Sequence, residues 1–133
     1  MLEGFKFHHI GYAVKDILIS SELYVKNGWK LSDTVIDDIQ NAKIAFLTKD
    51  NFPLIELVAP IDDNSPVVNT LSKNGVCPYH ICYEVIDINK SIELMKKERF
   101  VLLFKPVPAA ALQNRKICYL YNNNVGLLEI LEA

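Results

Sequence analysis

The chain has 133 residues, of which half are hydrophobic and 23% are charged, and this composition is typical of one globular domain with its own core. The net charge of −2 gives no electrostatic reason to expect nucleic acid or an anionic membrane as a partner. No apolar run is long enough to span a bilayer, and the first nine residues lack the pattern of a signal peptide, so we predict neither a membrane segment nor secretion.

The first half of the chain, about 5–60, predicts the order strand, helix and three strands. Alternating apolar residues predict a strand at 5–14, and Asp16 is placed to cap the helix that follows. Asn27-Gly28 is a typical helix end. The next strands are predicted at 29–35, 43–48 and 54–59.

The second half, about 77–133, predicts the same order. Its elements are a strand at 79–85, a helix at 87–97, and strands at 100–105, 115–121 and 126–131, with a loop at 106–114. A linker and short helix at 61–76 join the halves, with Ser65-Pro66 predicted as its cap and first turn. We therefore predict a single domain, 1–133, built from two modules.

An internal repeat supports this division. Segment 9–26 recurs at 80–97 with ten identical residues, and segment 43–57 recurs at 116–130 with six. The period is too long for a solenoid, so it indicates one duplicated unit.

Four ionisable residues occupy equivalent places in the two copies. Each copy contributes one histidine from its first strand and one glutamate from its last at matching positions of the repeat: His9, Glu56, His80 and Glu129. If the copies pack about a pseudo-twofold axis, these side chains converge. Two imidazoles and two carboxylates suit a divalent ion such as Zn, Ni, Co or Mn, and an octahedral ion would keep two positions for water or substrate oxygens.

Neighbouring polar residues receive other predictions. His8 aligns with Tyr79 in the repeat, and strand alternation predicts that His8 faces away from His9. By the same rule Tyr12 and Tyr83 belong in the core. The three cysteines, Cys77, Cys82 and Cys118, are an odd number without a CxxC pair, which predicts free, mostly buried thiols in a reducing cytoplasm.

The segments HIGYAVKDI, IELVAP with the Asp-rich linker before NSPV, HICYEVIDI and GLLEILE resemble the vicinal oxygen chelate superfamily. This superfamily includes glyoxalase I, extradiol dioxygenases, bleomycin-resistance proteins and methylmalonyl-CoA epimerases, and the likeness is greatest to the epimerases. The resemblance implies an α+β fold: two tandem βαβββ modules form a curved, mostly antiparallel eight-stranded sheet around a metal site. It also implies that His9, Glu56, His80 and Glu129 are the metal ligands.

The chain departs from the epimerase pattern in two places. Epimerases commonly have a glycine-rich turn and a His-Pro-Lys segment before the last strand, where this chain reads PAAALQNRKICYLYNNNVG. A carboxylate that serves as a base in some epimerases would fall near Ile44, which cannot transfer a proton.

The predicted activity is proton transfer next to a carbonyl, with the charge of the resulting enediolate stabilised by the ion. Glu129 or Glu56 is the predicted base. Motifs favour a methylmalonyl-CoA epimerase-like isomerase, and a lactoylglutathione lyase acting on a hemithioacetal is the nearest variant. Arg115 is a candidate for binding an anionic substrate group, against the simpler interpretation of a solvated arginine at a strand edge.

Two other functions of the same superfamily remain open at this stage. A bleomycin-resistance-type binding protein would need no metal, whereas four intact candidate ligands favour an enzyme. An extradiol dioxygenase normally uses two histidines and one glutamate, so Glu56 argues against it. We also expect a homodimer, because an exposed sheet edge favours pairing.

Overall fold

In the computed structural model, which describes residues 1–133, a single ten-stranded sheet carries three helices. The elements of the first half are β1 (Lys6–Ala13), α1 (Ile17–Lys26), β2 (Lys30–Leu31), β3 (Val35–Asp37), β4 (Ala42–Thr48) and β5 (Ile55–Pro60). Helix α2 (Val67–Asn74) follows. The second half contains β6 (Cys77–Val85), α3 (Ile88–Lys97), β7 (Val101–Leu102), β8 (Val107–Ala109), a 3₁₀ turn (Ala110–Leu112), β9 (Arg115–Asn122) and β10 (Gly126–Glu132).

The two halves meet at the centre of the sheet. The strand order is β2-β4-β5-β1-β6-β10-β9-β7, so the first strands of the two halves, β1 and β6, are antiparallel neighbours. On either side, the last strand of each half runs parallel to its own first strand: β5 beside β1, and β10 beside β6. This mirrored order confirms the α+β architecture of two paired modules that the repeat and the family resemblance indicate.

The sheet has ten strands instead of the predicted eight because one strand of each half is divided. The predicted strand 29–35 is two short strands, β2 and β3, which both pair with β4. In the second half β7 and β8 both pair with β9. The predicted loop 106–114 was wrong in this respect, since it contains β8 and the 3₁₀ turn. Each edge of the sheet is therefore formed by two short strands, one of two residues and one of three.

Helices α1 and α3 begin as predicted. The Asp16 carboxylate accepts a hydrogen bond from the Ile19 N–H, and Asp87 accepts one from Lys90. The prediction for Ser65 was wrong, because its hydroxyl accepts the N–H of Ile61 and leaves α2 without a side-chain cap.

Each half has its own apolar cluster, and the repeated tyrosines lie against these clusters. Tyr12 packs on the cluster that includes Ile17 and Leu57, and Tyr83 packs on the one that includes Ile88 and Ile130. All three cysteines are free. None of the helices has the length and hydrophobicity that crossing a bilayer requires.

Candidate metal centre

The structure brings the four repeated ionisable residues together at the middle of the sheet. The histidines lie on the central strands β1 and β6, and the glutamates lie on the flanking strands β5 and β10. We call this set the four-residue centre; it consists of His9, Glu56, His80 and Glu129. All four side chains are buried, with exposed fractions between 0% and 4%.

The donor atoms of the centre are closely and evenly spaced. His9 Nε2 lies 3.1 Å from Glu129 Oε1, 3.5 Å from Glu56 Oε1 and 3.3 Å from His80 Nε2. His80 Nε2 lies 3.4 Å from Glu56 Oε1 and 3.5 Å from Glu129 Oε1. Donors at about 2.1 Å from one ion lie about 3.0 Å apart in octahedral and about 3.4 Å apart in tetrahedral coordination. The spacing therefore fits one divalent ion.

An unsatisfied oxygen supports the same fit. Glu129 Oε1 is buried and lacks a well-aligned hydrogen bond, although it faces two imidazole nitrogens. Burying a carboxylate oxygen without a partner is costly, and a cation would relieve that cost. The donor set, two imidazoles with two carboxylates, is chemically suited to Zn, Co, Ni or Mn.

In the metal-free protein, the two carboxylates favour the protonated form of each imidazole. Burial alone disfavours the charged imidazole, but the negative charges of Glu56 and Glu129 outweigh it and raise the pKa of His9 to about 10. Burial likewise opposes the charged form of His80, but the two glutamates outweigh it and raise the pKa of that ring. Burial also opposes the ionised carboxylates, yet attraction to the imidazoles lowers the pKa of Glu56 and of Glu129.

The residue before each histidine is displaced by a β-bulge. In the pairing of β1 with β6, Phe7 pairs with Tyr83 and His9 pairs with Cys82, so His8 is the extra residue. Bulges redirect side chains, and the His8 ring lies beside that of His9, with 2.8 Å between their Nδ1 atoms. The prediction that His8 faces away from His9 was therefore wrong.

The ring of His80 is held in place by close packing against Gly11. Gly11 pairs with His80 across the strands, and a Cβ atom at Gly11 would lie only 2.0 Å from His80 Cε1. No other residue fits there unless the imidazole moves, which explains the glycine. This contact could not be predicted from the repeat, because the position equivalent to Gly11 in the second copy is Cys82.

A cavity of about 480 Å³ lies next to the centre. Fourteen residues line it, eleven of them hydrophobic and none charged. Two of them, Tyr79 and Tyr119, also pack on the imidazole of His80, with ring centroids at 4.6 Å and 5.3 Å. These two tyrosines therefore connect the lining of the cavity with the four-residue centre. Ile44 lines the same cavity.

Arg115 is not among the residues that the structure brings to the cavity. Its guanidinium pairs with Glu84, and its Nε donates a hydrogen bond of 2.9 Å to the Glu132 carbonyl. The hydrogen bond from Arg115 lowers the pKa of Glu84. The arginine is thus engaged in an ion pair at the start of β9, and its role in binding an anionic substrate group stays a prediction.

Comparison with known proteins gives the family. The profile of the glyoxalase/bleomycin resistance protein/dioxygenase superfamily matches residues 8–119. A mitochondrial methylmalonyl-CoA epimerase from Dictyostelium discoideum is 31% identical over 133 residues, covering 96% of this chain and 77% of the relative.

Solved structures agree in fold. A hypothetical protein from Bacillus halodurans superposes with a TM-score of 0.86 at 29% identity, covering 98% of this chain and 96% of the other. Methylmalonyl-CoA epimerase from Streptomyces coelicolor, solved with 2-nitronate-propionyl-CoA, has a TM-score of 0.82 at 22% identity and covers 96% of each chain. The chain belongs to the glyoxalase/bleomycin resistance/dioxygenase superfamily, also called the vicinal oxygen chelate superfamily.

Proposed function

We propose that this protein is a divalent-metal-dependent epimerase of an acyl-CoA thioester of the methylmalonyl-CoA type. The observation that carries the proposal is the four-residue centre, whose buried donors are 3.1–3.5 Å apart beside an apolar cavity. The names of the relatives support the substrate class, since the Dictyostelium protein is a methylmalonyl-CoA epimerase and the Streptomyces structure contains an acyl-CoA analogue.

His9, Glu56, His80 and Glu129 would hold the ion, for which Co, Zn, Ni and Mn are the candidates. When bound, the ion supplies Lewis-acid polarisation of substrate oxygens, which stabilises the charge left by removal of the α-proton. The apolar wall around Ile44, Val58 and Leu127 excludes water from the acyl group.

Within this site we assign proton transfer to the carboxylates. Ile44 has no proton to exchange, and the cavity has no charged side chain, so the nearest bases are Glu56 and Glu129. Glu129 has the stronger case because its cross-strand neighbour Tyr119 and its strand neighbour Leu127 both line the cavity. Its carboxylate would take the α-proton, and return of that proton from Glu129 to the opposite face of the carbon would invert it and restore the carboxylate.

The proposal predicts metal-dependent exchange of the α-proton. Protein stripped with a chelator and reloaded with Co²⁺ should replace the α-proton of methylmalonyl-CoA with deuterium in D₂O, whereas the stripped protein should not. Proton NMR follows the loss of the α-proton signal. If the loaded protein left that signal unchanged, the proposed activity would be excluded.

A second substrate tests the lactoylglutathione lyase variant. The hemithioacetal of methylglyoxal and glutathione should remain unchanged with the same Co²⁺-loaded protein, because the named relatives of this chain are methylmalonyl-CoA epimerases. Conversion of this adduct without exchange on methylmalonyl-CoA would favour the lyase. Tight binding of drug-like ligands with neither activity would favour a binding protein.

We also propose that the protein works as a homodimer in a reducing compartment. On helix α1 the apolar side chains of Leu18, Ile19 and Leu23 are 69%, 68% and 71% exposed. In the equivalent helix α3, the positions that match Leu18 and Ile19 are the polar residues Asn89 and Lys90.

A twofold axis beside α1 would bury these side chains against their own copies, and would let Glu22 of one subunit approach Lys26 of the other. The three free cysteines support a reducing compartment, because thiols stay reduced there. Sedimentation velocity should give about twice the chain mass for the native protein and the monomer mass for Leu18→Lys/Leu23→Lys; a native monomer would refute the dimer.

A further inference from the structure

We propose that His8 is a positioning residue for the metal centre: its Nδ1 accepts the Nδ1–H of His9, which fixes the ring of His9 with Nε2 turned towards the other three donors. This inference rests on the proposed function, because it concerns how the chain prepares a ligand for the ion. It adds a residue that neither the repeat nor the family resemblance assigns to the site.

The geometry of β1 supports a specific role for His8. The β-bulge leaves His8 without a cross-strand partner and brings its ring to 5.1 Å from that of His9, nearly perpendicular at 76°. The Nδ1 atoms are 2.8 Å apart, while His9 Nε2 faces Glu129 at 3.1 Å. The two nitrogens of His9 therefore have different partners.

The tautomers follow from these contacts. An imidazole that binds an ion through Nε2 must carry its proton on Nδ1 and needs an acceptor there. His8 Nδ1 is at hydrogen-bond distance and can accept when its own proton is on Nε2. His8 is half-buried, so this acceptor is partly shielded from competing water.

The second copy of the repeat provides an internal comparison. A bulge also occurs at Tyr79, the equivalent of His8, because Gly11 pairs with His80 and Tyr12 pairs with Pro78. Tyr79 is likewise brought against the following histidine, with ring centroids 4.6 Å apart.

The two histidines are nevertheless held differently. His80 Nδ1 is buried without a hydrogen-bond partner, and the ring is held by the close approach of Gly11. The β-bulge thus places a hydrogen-bond acceptor beside His9, but only an aromatic ring beside His80. Replacing the side chain before the histidine should therefore change the affinity for the metal at His8 but not at Tyr79.

The test measures Co²⁺ affinity by competition with a chromophoric chelator. His8→Phe keeps a ring but removes the acceptor, and should weaken Co²⁺ binding by about 10- to 100-fold, the usual effect of losing a hydrogen-bond partner of a metal ligand. His8→Asn offers a side-chain oxygen to the Nδ1–H and should recover most of the affinity. Tyr79→Phe, the matched change in the second copy, should leave the affinity unchanged.

A spectroscopic readout separates positioning from general damage. In Zn²⁺-loaded protein with ¹⁵N-labelled histidine, the Nδ1–H of His9 should be observed and slowly exchanging, and His8→Phe should make it exchange rapidly while circular dichroism and thermal unfolding stay native. Equal affinity and equal exchange in native protein and His8→Phe would overturn the inference. Native protein that binds no Co²⁺ would instead overturn the metal centre itself, and with it the proposed function.

Discussion

Replacing Glu129 with glutamine is expected to slow α-proton exchange on methylmalonyl-CoA by about two to four orders of magnitude, the contribution typical of a general base. Glutamine has the same shape and keeps an oxygen for the ion, but it cannot accept the α-proton. Since the side chain is buried between the two imidazoles, the change removes a charge with little change in volume. The loss should fall on kcat, with metal content restored by excess Co²⁺.

Two further variants make this result specific. Glu56→Gln changes the symmetric carboxylate and should slow exchange less than Glu129→Gln if Glu129 is the base. Glu93→Gln, a change at an exposed glutamate whose side chain is 70% accessible, should leave the rate unchanged. A larger loss of exchange rate in Glu56→Gln than in Glu129→Gln would make Glu56 the base and Glu129 a ligand only. Full activity with bound metal in both variants would remove the carboxylates from proton transfer.

The four-residue centre could be predicted because the repeat shows the same residue types at equivalent positions of both copies. A single histidine in a strand is more often a structural residue than a ligand, but His9 and His80 are equivalent, as are Glu56 and Glu129. The duplication therefore predicted the paired modules and the convergence of these side chains, and the family resemblance implied the curved sheet. Their closeness is visible in the structure; their roles as ligands and base are proposals.

The details that were missed depend on departures from regular strand geometry. Alternation assigned His8 to the opposite face because it assumes an unbroken pleat, and a β-bulge leaves no clear signature in this sequence. The contact of Gly11 with His80 depends on cross-strand register, which local patterns do not contain. Arg115 could be located on a strand, but its pairing with Glu84 joins residues 31 positions apart.

Metal affinity should rise steeply with pH, because binding must displace protons that the two carboxylates hold on the imidazoles. The pKa of His9 is raised to about 10, so its ring is protonated near pH 7 in the metal-free protein, and the carboxylates raise the pKa of His80 as well. An ion requires them neutral at Nε2. The pKa values of Glu56 and Glu129 are lowered, so the carboxylates are already ionised and release nothing.

Each displaced proton makes the association constant rise about tenfold per pH unit while the ring that loses it is mostly protonated. The proton displaced from His9 alone should give about a 10²-fold gain between pH 6 and pH 8, and a proton displaced from His80 would add to it. Titration calorimetry of Co²⁺ in buffers of different ionisation enthalpy counts the released protons directly. His9→Gln, which keeps a neutral ligand but removes one imidazole, should lower that count by about one. A flat affinity across this range would mean that the imidazoles are neutral before the ion arrives, and the charge balance of the centre would have to be different.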